Sequence, residues 1–242
     1  MSFYKTNAIY NEIAKRNIEN YYWVSENAWI LIYGDARSEP KLIILAFNEY
    51  WIIDQKIVKL AEEIASKAHL PMMKIKFCSS AKEINSVDIS KFGSPFETVS
   101  LIDLKNIFSG FGLPVSDSVL NKAINSAESS AYHSWQRESL GGNIVVADID
   151  LVKVRSNGEI VILELKRSFY SLDRWSPYPE DYPNFFLLDK LSKLSCSQFF
   201  IVYNQRTTKP IFFDDPSRVS VFAFEGDKPR KVGEYMFDQL FN

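Results

Sequence analysis

Hydrophobic positions recur along the chain with two different periods. Near-continuous apolar runs at 28–33 (AWILIY) and 41–47 (KLIILAF) read as buried strands joined by the turn-rich GDARSEP. Over 52–68, Ile53, Ile57, Leu60, Ala61, Ile64 and Ala68 fall at helical spacing and predict an amphipathic helix. Residues 72–78 read as a short strand, and 101–111 as a helix ending at the glycines of SGFGLP. Gly110, Gly112 and Pro114 mark the best candidate boundary, dividing an N-terminal α/β region of unassigned role (1–115) from residues 116–242. Beyond it, Ser116, Asp117 and Ser118 offer N-cap side chains. Leu120, Ala123, Ala127, Ala131 and Trp135 then stripe a helix over about 119–139, stopped by Gly141-Gly142. Two strands follow, NIVVADIDLVKV and EIVILELKRS, joined by RSNG. Then come the aromatic- and proline-rich FYSLDRWSPYPEDYP, a helix over 184–194, the strand QFFIVYN and a strand near 219–224. This order predicts an α/β protein with a mixed sheet.

The strand ILELKRS raises a chemical question, because Glu164 and Lys166 share a face with the apolar Ile160 and Ile162. Ser156-Asn157-Gly158 suits a three-residue hairpin loop with a left-handed glycine. That register sets Val154 opposite Ile160, Val152 opposite Ile162, Asp150 opposite Glu164 and Asp148 opposite Lys166. A two-residue Asn157-Gly158 turn is the competing choice and places Asp150 and Glu164 on opposite faces. Buried carboxylates gathered on one face suit a hard divalent cation such as Mg²⁺, with Mn²⁺ as a substitute. A neighbouring lysine serves to orient a water or to offset charge on a pentavalent phosphorus.

Asp150 on one strand followed by Glu164-Leu165-Lys166 on the next resembles the signature of the PD-(D/E)XK, or restriction-endonuclease-like, nucleases. The likeness covers residues 118–205. It implies a mixed central sheet flanked by helices, with residues 1–115 as an N-terminal α/β extension. It also implies a Mg²⁺-dependent endonuclease that hydrolyses DNA phosphodiesters with a metal-activated water. Asp150, Glu164 and the Leu165 carbonyl would then be metal ligands and Lys166 would assist the water. Asp148 duplicates the carboxylate and is the alternative ligand, and Glu128 or Glu138 supplies the one that many members carry on the preceding helix. Ile149 departs from the proline of the family pattern. A catalytically inactive module of the same fold, binding nucleic acid or a protein, and an RNA-processing nuclease are the alternatives.

Charge changes the picture only locally. The net charge is −2, so no bulk field announces nucleic acid. Arg167, Arg174 and Lys190 are the candidate phosphate contacts, and Tyr132, Trp135 and Arg137 are weaker ones. His133 reads as a packing residue. The only cysteines, Cys78 and Cys196, are far apart, and no CxxC or His/Cys cluster suits a structural zinc; two free, buried thiols are expected, with a single disulfide as the alternative. Neither an apolar leader nor a run near the roughly 20 residues of a membrane span is visible. A soluble, cytoplasmic protein is expected, acting as a homodimer if it cuts both strands of a duplex. No P-loop, Rossmann or serine-hydrolase motif appears.

Overall fold

The structure is a computed structural model and describes residues 7–24, 27–79, 83–91, 93–116 and 130–241. The described chain is a mixed α/β protein with two six-stranded mixed sheets and six helices. In order, these are α1 (Ala8–Lys15), β1 (Tyr21–Tyr22), β2 (Ala28–Asp35), β3 (Pro40–Asn48), α2 (Gln55–Lys67), β4 (Met72–Phe77), β5 (Ser86–Lys91), β6 (Glu97–Ser100) and α3 (Leu101–Gly110). There follow α4 (Ala131–Ser139), β7 (Ile144–Asp148), β8 (Leu151–Val154), β9 (Ile160–Ser168), α5 (Tyr182–Leu194), β10 (Gln198–Thr207), β11 (Phe213–Glu225), β12 (Lys228–Met236) and α6 (Phe237–Phe241).

One sheet runs β1-β8-β9-β10-β11-β12, with β9 and β10 parallel. The other runs β6-β5-β4-β3-β2-β7, with β3 and β4 parallel. Each sheet borrows a strand from across the SGFGLP glycines. β7 pairs with β2, and β1 pairs with β8. Alternation along β9 explains the layering. Ile160 and Ile162 join the core shared with β2, β3, α2 and α5. Val161, Leu163 and Leu165 face the opposite way, into a core with Ile9 and Ile13 of α1 and Phe237 and Phe241 of α6. The far side of the β2–β3 sheet is closed by Leu104 and Phe108 of α3 and Tyr132 and Trp135 of α4. Helix α5 packs against strands of both sheets.

Several boundaries differ from the sequence expectation. Asp54 accepts the Lys56 N–H at 2.8 Å and starts α2 at Gln55. Ile52 and Ile53 therefore fall outside the helix and are exposed. Only the last part of the helix expected over 119–139 is described, as α4. Glu128 lies outside the described residues. β11 begins at Phe213, ahead of the apolar stretch that marks its core. Both cysteines are free as expected but exposed, not buried. Trp175 of the aromatic loop is buried and stacks on Tyr203, ring centroids 4.1 Å apart, so this part of the loop is packed structure. Among the described residues, no helix is long and apolar enough to cross a membrane.

Candidate functional site

The β8–β9 hairpin has the three-residue loop. Gly158 sits at φ +80°, its N–H donates to the Arg155 carbonyl at 2.8 Å, and Arg155 N–H donates to the Glu159 carbonyl at 2.9 Å. The ladder pairs Val154 with Ile160, Val152 with Ile162 and Leu151 with Leu163. That register carries Asp150 to the position beside Glu164, though not as a ladder pair. The Asp150 carboxylate instead accepts the Leu165 N–H at 2.7 Å. Its carbonyl accepts from the Tyr10 hydroxyl at 3.0 Å.

NIVVADIDLVKV is not one strand. β7 ends at Asp148, which lies opposite Leu31 of β2. Ile149 still donates its N–H to the Ile30 carbonyl at 3.0 Å. The chain then crosses to the other sheet at Asp150. Asp148 therefore does not face Lys166 across a hairpin, as the simple register predicts. It reaches the same neighbourhood from the adjoining sheet edge, because a strand that switches sheets makes a corner between them.

Glu164 is buried at 7% exposure and ion-paired to Lys166, with Nζ and Oε1 2.9 Å apart. The Lys166 ammonium also lies 5.4 Å from the Phe185 ring centre of α5. Burial raises the carboxyl pKa values of Asp148, Asp150 and Glu164. Glu164 and Asp148 push Asp150 further up, against the pull of Lys166 and the Leu165 N–H. Burial acts to lower the Lys166 pKa, but Glu164, Asp150 and Asp181 raise it on balance. Three carboxylates thus compete for one ammonium. Among the described residues, no group of three or more His, Cys, Asp or Glu side chains is already arranged around one point to hold a metal.

A fourth carboxylate enters without a sequence signal. Asp181 ends a single 3₁₀ turn, Pro179–Asp181, just before α5. Its side chain makes no capping hydrogen bond at α5, and its charge acts on both Glu164 and Lys166. No spacing in PEDYP connects it to strands that precede it.

Two of the candidate phosphate contacts are held in ion pairs. Arg167 pairs with Asp214 at 2.6 Å, and Asp214 also accepts from Asn204 Nδ2 at 2.6 Å. Lys190 pairs with Glu39 and donates to the Arg37 carbonyl at 2.7 Å, tying α5 to the β2–β3 turn. Arg174 is exposed in the aromatic loop. Tyr132 and Trp135 are core residues, whereas Arg137 on the same helix is exposed, and its charge acts on Asp148. Glu138, the second candidate helix carboxylate, is exposed.

No family model matches the chain, and no curated protein matches it. Among solved structures it is similar to a sex pheromone precursor from Lactobacillus salivarius subsp. salivarius UCC118. The identity is 12% and the TM-score 0.17, over 82% of this chain and 63% of that one. The chain thus spans less than two thirds of that protein's length, and a TM-score of 0.17 carries no argument about fold or function.

Proposed function

We propose that the protein is a divalent-cation-dependent nuclease of the PD-(D/E)XK type, hydrolysing DNA phosphodiester bonds with Mg²⁺ or Mn²⁺. One observation carries the proposal. Asp150, where β7 passes into β8, lies beside Glu164 of β9, the Glu164 carboxylate holds Lys166 at 2.9 Å, and Glu164 and Asp148 push the Asp150 pKa up. Such mutual repulsion is unfavourable in a purely structural cluster and is relieved by a cation.

The donor set fits Mg²⁺, which keeps several waters and binds through one or two carboxylates. Asp150, Glu164 and the Leu165 carbonyl would hold it, with Asp148 as the alternative carboxylate. When bound, the cation supplies Lewis acidity at a phosphoryl oxygen. Lys166, fixed by Glu164 and Phe185, orients the attacking water and offsets charge growing on the phosphoryl oxygens. A homodimer would bring two such sites to the two strands of a duplex.

The test is cleavage of plasmid, single-stranded DNA and RNA with Mg²⁺ or Mn²⁺ by wild type, Glu164→Gln and Lys166→Met. Loss of activity of about 10²-fold or more is expected in both variants. If wild type cuts none of these substrates, or both variants cut as well as wild type, the proposal fails. A non-catalytic nucleic-acid-binding module is the second reading. It is favoured by the Asp150 oxygen already engaged by the Leu165 N–H, and it predicts retarded DNA in a gel shift without cleavage.

A further inference from the structure

A cleft of about 590 Å³ is lined by residues of α4, β7 and the start of α5. That is within the range of small-molecule sites and roomy enough for one nucleotide. Its lining is of two kinds. Leu140, Val146 and Pro183 are apolar, while His133, Arg137 and Asp148 carry polar or charged groups. Asp148 belongs equally to the carboxylate cluster described above, so the cleft and that cluster are continuous.

His133 and Arg137 stand one helical turn apart on α4, and the Arg137 charge also acts on Asp148. His133 is 7% exposed, and its Nε2 is buried with no hydrogen-bond partner. Its Nδ1 lies 2.7 Å from Ser130 Oγ. That hydroxyl caps α4 by accepting the His133 N–H at 3.3 Å, so its own proton is available to Nδ1. Burial, aided by Arg137, lowers the His133 pKa to about 4, and the ring is neutral near pH 7. With Nδ1 accepting, the ring proton resides on Nε2, which is then a donor. Arg137 is exposed and makes no ion pair among the described residues. The exposed Arg137 guanidinium suits the oxygens of a phosphate, and His133, on the same wall of the cleft, has a buried Nε2 without a hydrogen-bond partner.

We propose that this cleft takes one nucleotide of the substrate, its phosphate held by Arg137 and His133 and its base against the apolar lining. The proposal rests on the nuclease reading for the divalent cation. Asp148, Glu180 and Asp181 line the same cleft and repel a phosphate unless a cation stands between them. It also names the substrate class. A single nucleotide enters such a cleft only when unstacked, so single strands and frayed ends are preferred over uninterrupted duplex.

The test measures binding of deoxynucleoside 5′-monophosphates and of a short single-stranded oligonucleotide by calorimetry, with Ca²⁺ replacing Mg²⁺. Arg137→Met removes an exposed side chain and is the primary variant. His133→Gln is the second, with its fold checked by circular dichroism, and Lys59→Met, an exposed residue of α2, is the control outside the cleft. Wild type and Lys59→Met are expected to bind alike, and Arg137→Met to bind at least about tenfold more weakly. Absence of binding by wild type, or wild-type affinity in Arg137→Met, overturns the proposal. Cleavage assays on the same proteins separate the two readings. If Glu164→Gln abolishes cleavage while Arg137→Met binds normally, the cleft assignment fails and the nuclease reading stands. If nothing is cleaved while Arg137→Met loses nucleotide binding, the nuclease reading fails and the cleft assignment stands.

Discussion

Asp150 offers the sharpest test, because it carries a structural role and a proposed chemical one that respond oppositely to mutation. Its carboxylate accepts the Leu165 N–H at 2.7 Å. In Asp150→Ala that N–H, on a residue only 9% exposed, is left without its acceptor, at a cost of about 1–3 kcal/mol. Asp150→Asn keeps an oxygen acceptor. Both variants remove a charge whose ionisation is opposed by burial, Glu164 and Asp148. The sign follows from linkage. A carboxyl with a raised folded pKa binds more protons folded than unfolded, so its contribution to stability is fully present below the unfolded pKa. It is lost as pH rises through the folded value, about 1.4 kcal/mol for each pH unit between the two.

Urea unfolding followed by tryptophan fluorescence should therefore show Asp150→Asn gaining on wild type as pH is raised from about 4 to about 8. The Asn and Ala variants should stay separated by about 1–3 kcal/mol throughout, since both lack the charge and differ only in the cap. Added Mg²⁺ at about ten times its dissociation constant should raise wild-type stability by about 1.4 kcal/mol and leave Asp150→Asn nearly unchanged. A wild-type-minus-Asn difference that is flat in pH, with equal m-values, would refute the electrostatic account. Equal stability of the Asn and Ala variants would refute the cap.

Other outcomes are equally specific. Gly158→Ala forces a Cβ into φ +80° with no neighbouring atoms to clash, so it should lower the unfolding free energy measured in urea by the backbone term alone, about 1–2 kcal/mol. Trp175→Ala empties the site stacked on Tyr203 and should cost about 3–5 kcal/mol, read as a lower melting temperature. Asp214→Ala removes the partner of Arg167 and the acceptor of Asn204 Nδ2, and should cost about 3 kcal/mol by the same measure. The His133 ring, with its pKa near 4, should remain neutral at about pH 5 in an NMR titration; a midpoint near the ordinary 6.5 would contradict its burial.

The hairpin was legible because local chemistry decides it. Only glycine sits comfortably at the left-handed turn position, and the alternation of Val152, Val154, Ile160 and Ile162 then fixes the register. The passage between sheets at Ile149–Asp150 was not legible. Both sheets demand the same alternation, and nothing in VVADIDLV separates a strand from two strands meeting at a corner. β12, with KPRKVGEYM, is an edge strand with mostly exposed or half-exposed residues and carries almost no hydrophobic signal. The charged partners were hidden for a different reason. Lys190 finds Glu39, and Arg167 finds Asp214, across long stretches of sequence, so a cation beside a site in sequence need not face it in space.

The crossing of β7 into β8 also bears on how the chain is made. β1 leaves the ribosome with no strand to pair with until Val152 and Lys153 have been synthesised, and one edge of β2 stays open until β7 follows. Pairings between such distant segments slow folding, and an open edge invites association with other chains in the meantime. The segment that closes both edges is the one that carries Asp148 and Asp150. A nascent chain stopped short of it has neither sheet complete, and a molecule that has opened either sheet has lost the carboxylate cluster. Any readout that depends on that cluster would therefore count only molecules with both sheets closed.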